Sequence, residues 1–267
     1  MYKYNSIVNP EFQDLTEFVN DIPKRYKKLG RVIYSSRNEI KIVKQQGRLL
    51  AIKYYKRINL FNKIYYSIFK VTKANNSNRN SLILISKGIN TPAPVGYIDC
   101  YKKGIYKKGF FVSLFTDYEP VEDMLSQPVE KSLGFLHAFA RFTYEMHQKG
   151  VFPGDYSVSN VRFRLTEAGY DFQLIDINRM KIGGFSFKKG SKSLQRLLLS
   201  SDKIGIIAAE YARLAKKDNI RVLGLFLFFR NNFLLKMSVK QKLKKIFNIK
   251  NWLEFSKYKL LKYQNKQ

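Results

Sequence analysis

Apolar positions recur along this 267-residue chain with two different periods. Phe12, Leu15, Phe18, Val19 and Ile22 form a stripe at helical spacing. Asn9 is a candidate cap, Pro10 falls at the first helical position, and Pro23 is a candidate stop or kink. This spacing predicts a helix over 10–28. The period then changes to two. Residues 31–34, 40–43 and 48–55 read as strands separated by polar turns at 35–38 and 45–47. In the third strand, alternation sets Leu50, Ile52 and Tyr54 on one face and Leu49, Ala51 and Lys53 on the other. Residues 60–87 read as mostly helical with a polar break at 75–80. A loop is marked by Thr91, Pro92, Pro94 and Gly96. Residues 95–100 and 109–115 read as a hairpin pair joined across 101–108, and 116–120 is a candidate hinge.

The second half is mainly helical. Leu133, Leu136, Phe139, Ala140, Thr143 and Met146 repeat at helical spacing, and Gly150 is a natural stop. Strands are expected at 161–165 and 172–177 around a turn at 167–171. Three helices complete the pattern. Leu194, Leu197, Leu198, Ile204, Ala208, Tyr211 and Ala215 mark the first. The second is capped by Asp218 and apolar nearly all round. The third is basic, with Val239, Leu243, Ile246 and Phe247 as its apolar side. The fold class read from this order is α+β in two lobes. A helical extension at 1–29 is expected to precede a β-rich N-lobe at 30–118 and a mainly helical C-lobe at 119–267 that ends in basic helices.

Composition narrows the picture. Hydrophobic residues at 45% and aromatics at 15% exclude a disordered tail. Cys100 is the single cysteine, so an intrachain disulfide is excluded, and with only His137 and His147 beside it so is a zinc-type cluster. A reducing compartment follows as the expectation. The first residues carry no apolar core of the signal-peptide kind, and 222–229 is too short to span a bilayer, so a buried helix is expected there. The two histidines stand ten apart on one helix, do not share a face, and read as ordinary surface or core residues.

Lys plus Arg number 49 against 20 Asp plus Glu, a net charge of +29. That calls for an anionic partner, and nucleic acid, anionic lipid and phosphorylated or acidic sugars all qualify. The distribution is uneven. Residues 54–98 contain seven cations and no acid, and 177–201 six cations and no acid. Isolated acids such as Asp155 and Asp176 in so basic a chain need a reason, and metal binding is one. No RNP, KH or helix-turn-helix signature accompanies the charge, so nucleic acid is the weakest of these partners. The lysines of 236–266, flanked by Phe247 and Trp252, read as a solvated helix face, with contact at a membrane surface as the sharper alternative.

The strongest chemical signal lies in 146–176. Asp155 and Asn160 are five apart between a helix and a strand, and Asp176 follows an apolar strand sixteen residues after Asn160. This is the spacing by which protein kinases set a base near the acceptor hydroxyl and two oxygen ligands for Mg²⁺ on the phosphates. Leu50-Ala51-Ile52-Lys53 resembles the kinase strand motif V-A-I-K, which places Lys53 on the cleft face toward nucleotide phosphates. A protein-kinase-like fold is the expectation from the joint match.

Within that fold the chain resembles bacterial lipopolysaccharide core kinases, which phosphorylate Kdo or heptose. The resemblance is carried by Met146-His147-x-x-Gly150-Val151-Phe152-x-Gly154-Asp155-x-x-x-x-Asn160 and by Leu174-Ile175-Asp176-Ile177-Asn178-Arg179. Gly30-x-x-Ile33-Tyr34-x-x-Arg37-Asn38 and Lys87-Gly88-Ile89-Asn90-Thr91-Pro92-x-Pro94 support it. It spans about residues 10 to 215. It implies ATP and Mg²⁺ as cofactors, Asp155 as catalytic base, Asn160 and Asp176 as metal ligands, and Lys53 as a phosphate ligand. Ser36 and Arg37 in the turn over the nucleotide are expected to assist. The implied partner is an anionic glycolipid or sugar acceptor, met in the cytoplasm with peripheral contact at the inner membrane. Oligomeric state is not legible in the sequence.

Three features depart from the family pattern. Pro153 stands where a His is usual, two residues before Asp155. The turn at 35–38 lacks glycine. No acid lies between Lys53 and Asp99 to pair with Lys53 from the usual helix, where Arg79 falls instead; Glu39 and Asp176 are the other candidates. These losses support an alternative, a pseudokinase that binds nucleotide or anionic glycolipid without transfer.

Overall fold

The computed structural model describes residues 2–264; the side chains of Phe247 and Trp252 lie outside the described residues. The N-terminal half is a six-stranded antiparallel sheet with helices on both faces. The chain runs through β1 (Tyr2–Val8), a 3-10 turn at Pro10–Leu15, α1 (Thr16–Arg25) and a second turn at Tyr26–Lys28. It continues through β2 (Arg31–Ser35), β3 (Glu39–Gln45), β4 (Arg48–Tyr55), α2 (Leu60–Phe69), α3 (Lys73–Ser86), β5 (Pro94–Lys102) and β6 (Ile105–Leu114). The strand order is β1-β5-β6-β4-β3-β2. The alternation along β4 holds. Leu50 and Ile52 pack with Ile98, Phe110 and Val112 against Leu15, Val19 and Ile22 on the α1 side. The opposite face carries Tyr55, Tyr97 and Phe111 against Ala74 of α3.

Four local expectations change here. The expected helical extension begins with a strand, because Tyr2–Val8 pairs along β5. Asn9 makes no side-chain cap; it is buried and donates to Asn78 Oδ1 (3.0 Å) and the Pro94 carbonyl (2.6 Å). The helical break falls at Lys70, which has φ +55°, and not at 75–80. Thr72 caps α3 by accepting from the Asn75 N–H (3.1 Å), and the Asn/Ser run lies inside that helix. Pro23 sits within α1, where its carbonyl accepts from Lys108 Nζ (3.1 Å).

The C-terminal half comprises β7 (Glu119–Pro120), α4 (Val121–Ser126), α5 (Val129–Gln148), β8 (Val151–Pro153), β9 (Val161–Thr166), β10 (Gly169–Leu174), β11 (Met180–Ile182), α6 (Phe187–Ser193), α7 (Ser201–Ala215) and α8 (Asn219–Gln264). Phe135, Leu136 and Phe139 of α5 form one core with Phe163 and Phe172 of the β9–β10 hairpin, Ile207 and Tyr211 of α7, and Val222 and Phe226 of α8. Gly150 ends the α5 region at φ +72°, and a Cβ there would overlap the Gly183 carbonyl. The stripe expected as one helix from Leu194 is broken at 197–200 before α7 begins. The two last helices expected separately are a single α8, since no breaker separates them. Asp218 Oδ1 accepts from the Arg221 N–H (2.8 Å) at its start. The part Asn219–Leu243 is long and apolar enough to cross a membrane by length and composition. Its first turns, however, bury Val222, Phe226 and Phe229 in protein.

Two buried titratable groups oppose each other in their effect on stability. Burial pushes the Asp99 carboxyl up to about 7, against the hydrogen bond that Thr72 Oγ1 donates to its Oδ2 (2.7 Å). Burial pushes His147, which is bonded to Tyr211 and Ser193, down to about 3. Between about pH 4.5 and about pH 6.5, unfolding releases a proton at Asp99 and takes one up at His147, so the two contributions cancel. Asp99→Asn should therefore uncover a stability that falls as pH drops below about 6.5, by about 1.4 kcal/mol per pH unit. His147→Gln should uncover the opposite, a stability that falls as pH rises from about 4 toward about 7. Urea unfolding at several pH values measures both slopes, and equal slopes in the two variants would contradict the assignment.

Candidate active site

β4 delivers Lys53 to the side of the sheet that faces the second half of the chain. Its side chain is 13% exposed, and its Nζ lies 2.6 Å from Asp176 Oδ1. Burial alone would pull the ammonium's pKa down. The Tyr55 oxygen and the Asp176 carboxylate outweigh burial and hold it above the ordinary lysine value. The Tyr55 ring lies 5.6 Å from Lys53 Nζ, and its hydroxyl bonds to Ser77 Oγ of α3 (2.8 Å). The usual helix acid is thus replaced. Asp176 takes Lys53 directly, α3 supports the platform beneath it, Glu39 pairs with Lys56 instead (3.2 Å), and Arg79 is exposed.

Asp176 has φ +53°, the left-handed conformation, at the entry to a 3-10 turn formed by Ile177–Arg179. Asn178 Nδ2 donates to its Oδ1 (2.6 Å). The turn is fastened to α3 by Asn80 Nδ2, which donates to the Ile177 carbonyl (2.8 Å). Asp155 lies on the loop after β8, where Arg196 Nη1 approaches its Oδ1 at 2.7 Å. The guanidinium of Arg196 stacks on Phe233 of α8 at 5.1 Å. Asn160 joins the two acidic loops. Its Nδ2 donates to the Asp155 carbonyl (2.9 Å), and its own carbonyl accepts from the Ile175 N–H (3.0 Å). Pro153 belongs to β8 and pairs with Met180 of β11, so backbone pairing orients the loop where an imidazole would otherwise do so.

Asp155, Asn160 and Asp176 border one small cavity. Asp155 and Asp176 also line a cleft of about 600 Å³, together with Arg37, Lys73, Arg179 and four further cationic side chains. Burial, then the charges of Arg179 and Arg37, lower the pKa of Lys73 below the ordinary lysine value. Such a cleft suits a polyanion. The carboxylate and amide oxygens of Asp176 and Asn160 are hard donors of the kind that Mg²⁺ takes. That donor set fits the metal, and among the described residues no cluster of three or more His, Cys, Asp or Glu offers another site. With Lys53 already on Asp176, phosphate oxygens would have to share both cations.

Of the residues expected from the sequence, the structure brings together Lys53, Asp155, Asn160, Asp176 and Arg37. Ser36 is not among the residues lining the cleft, and its N–H closes the turn on the Asn38 carbonyl (2.8 Å). Arg196, Tyr55, Asn80 and Asn178 were not found from the sequence. The only signal for Arg196 is its position in the acid-free run 177–201, where a half-buried cation has to find a distant acid.

The sequence model of the lipopolysaccharide kinase (Kdo/WaaP) family matches residues 25–217. Among solved structures, the fold is similar to that of WaaP in complex with acyl carrier protein. The TM-score is 0.56 at 14% identity, covering 85% of this chain and 97% of that one. A MAP kinase, LmaMPK10 from Leishmania major, gives a TM-score of 0.40 at 11% identity, covering 78% of this chain and 66% of that one. No curated protein sequence matches.

Gly154, next to Asp155, tests the geometry of this loop. Its N–H donates to the Arg179 carbonyl (3.0 Å), and a Cβ there would lie 2.4 Å from that same oxygen. Gly154→Ala should destabilise the protein by about 1–3 kcal/mol through forced backbone displacement. Thermal unfolding checks this, and an unchanged melting temperature would contradict the packing.

Proposed function

The chain belongs to the lipopolysaccharide kinase (Kdo/WaaP) family, and on that premise we propose that it transfers the γ-phosphate of ATP to a hydroxyl of Kdo or heptose in the lipopolysaccharide inner core. The observation that carries this reading is the meeting of Asp155 and Asp176 on one polycationic cleft, with Lys53 paired to Asp176. Asp155 accepts the proton of the sugar hydroxyl as that oxygen bonds to the γ-phosphorus. The bond to the bridging oxygen breaks, and ADP leaves. Lys53, held between the Tyr55 ring and Asp176, binds phosphate oxygens, and Arg37 adds charge from the turn above. Asn160 and Asp176 would hold Mg²⁺, which when bound neutralises phosphate charge. Arg196 fixes the rotamer of Asp155. The cleft cations beyond those that the nucleotide uses favour an acceptor with negative charge of its own, as Kdo carries. A lipid-linked acceptor places the protein at the cytoplasmic face of the inner membrane, in keeping with its basic surface.

The test is ADP release with Mg-ATP and purified lipopolysaccharide core. Asp155→Asn should lower kcat by about 10²–10⁴-fold with unchanged thermal unfolding, and Asp176→Asn should abolish transfer with the fold kept but at a lower melting temperature, because Lys53 loses its ion-pair partner. Full activity in either variant would sink the assignment. Core fragments ending in Kdo or in heptose, compared by kcat/KM, identify the acceptor.

A further inference from the structure

We propose that α2 is a membrane-docking helix that seats the mouth of the cleft on an anionic lipid surface. This rests on the reading above, in which the acceptor is anchored in lipid. The helix is amphipathic the wrong way round for a soluble protein. Its inner side is Tyr66, which meets the Tyr106 ring edge-on at 5.2 Å, and Ser67, whose Oγ accepts from the Tyr106 N–H (2.9 Å). Its outer side is Leu60, Phe61, Ile64, Tyr65, Ile68 and Phe69. Phe61 is 84% exposed, Leu60 71% and Ile68 66%. Large apolar side chains gathered on one exposed face mark a surface that meets something apolar.

The surroundings favour a bilayer over a protein partner. No acid occurs anywhere in 54–98, while seven cations do. Lys56, Arg57, Lys63 and Lys70 flank the apolar face in sequence, which is the pattern of a helix lying in the interface of a membrane with anionic lipids. The position also fits. Arg57, Asn59, Asn62 and Lys63 line the same cleft as Asp155 and Asp176. A helix sunk to the level of its apolar face would bring the cleft wall to the headgroup layer, where a lipid-linked sugar stands. Asn59 caps the helix by accepting from the Asn62 N–H (2.8 Å), so it is formed before any membrane is met.

Vesicle flotation of the full chain tests this, using phosphatidylcholine vesicles with and without phosphatidylglycerol. The wild-type protein should float with the anionic vesicles and be released by salt. The variant Phe61→Ser/Ile64→Ser/Ile68→Ser should keep its melting temperature and lose binding by more than about tenfold. It should raise KM for acceptor presented in vesicles while leaving kcat for a deacylated, soluble acceptor unchanged. Unchanged flotation of the triple variant would overturn the proposal. So would loss of flotation only in Leu235→Ser/Leu243→Ser of α8, or wild-type dimers that the triple variant dissolves without vesicle binding. Failure to phosphorylate either acceptor would count against the proposed function alone, since flotation is read without turnover.

Discussion

The ion pair between Lys53 and Asp176 is the constraint around which the two halves of the chain are arranged. A buried ammonium needs a partner, because the desolvation of an unpaired charge costs several kcal/mol. The stretch following Lys53 offers none, with no acid until Asp99, and Asp99 itself is buried beneath the start of α3 with Thr72. The partner has to come from the other side of the cleft. Asp176 reaches it through a left-handed backbone conformation, and that conformation is held from three directions by Asn178, by Asn80 acting on the next carbonyl, and by Asn160 acting on the strand before. The β4 alternation, the position of α3 and the hairpin β9–β10 all serve one contact.

Much of the fold was legible because period and chemistry agreed. The strands β2 to β4, the long α5 and the Asp155–Asn160–Asp176 spacing all follow rules that act within a few residues. What was not legible depends on partners distant in the chain. The Asn/Ser run 75–80 looks like a helix breaker, yet Ser77, Asn78 and Asn80 each find a bond at Tyr55, Asn9 and Ile177. Local polarity there signals fastening between distant parts, not an interruption. Tyr2–Val8 likewise shows no strand signal stronger than its neighbours, and becomes one because the edge of β5 is there to receive it. Arg196 is invisible for the same reason, since its acid lies forty-one residues earlier.

Each of the two cleft carboxylates is matched by one cation, Asp176 by Lys53 and Asp155 by Arg196. The two cations come from different halves of the chain. Lys53 belongs to the sheet, while Arg196 leans on Phe233 of the last helix. The carboxylates are therefore positioned by elements from different halves of the chain, and the polarity of the cleft is set by what surrounds it more than by its own loops.

The spatial strand order β1-β5-β6-β4-β3-β2 has a consequence for how this protein is made. The first strand pairs residue for residue with the fifth, from Tyr2 opposite Lys102 to Val8 opposite Gly96. As the chain leaves the ribosome, β1 emerges first and must wait for nearly a hundred residues before its neighbour exists. The meander β2–β3–β4 has no such delay, since each strand follows its partner by a short turn. Long-range pairing of this kind is slow to form and leaves an edge open meanwhile. The β2–β3–β4 meander can therefore form well before the β1 edge finds its partner, and the two parts are joined only when β6 emerges to pair with both β4 and β5.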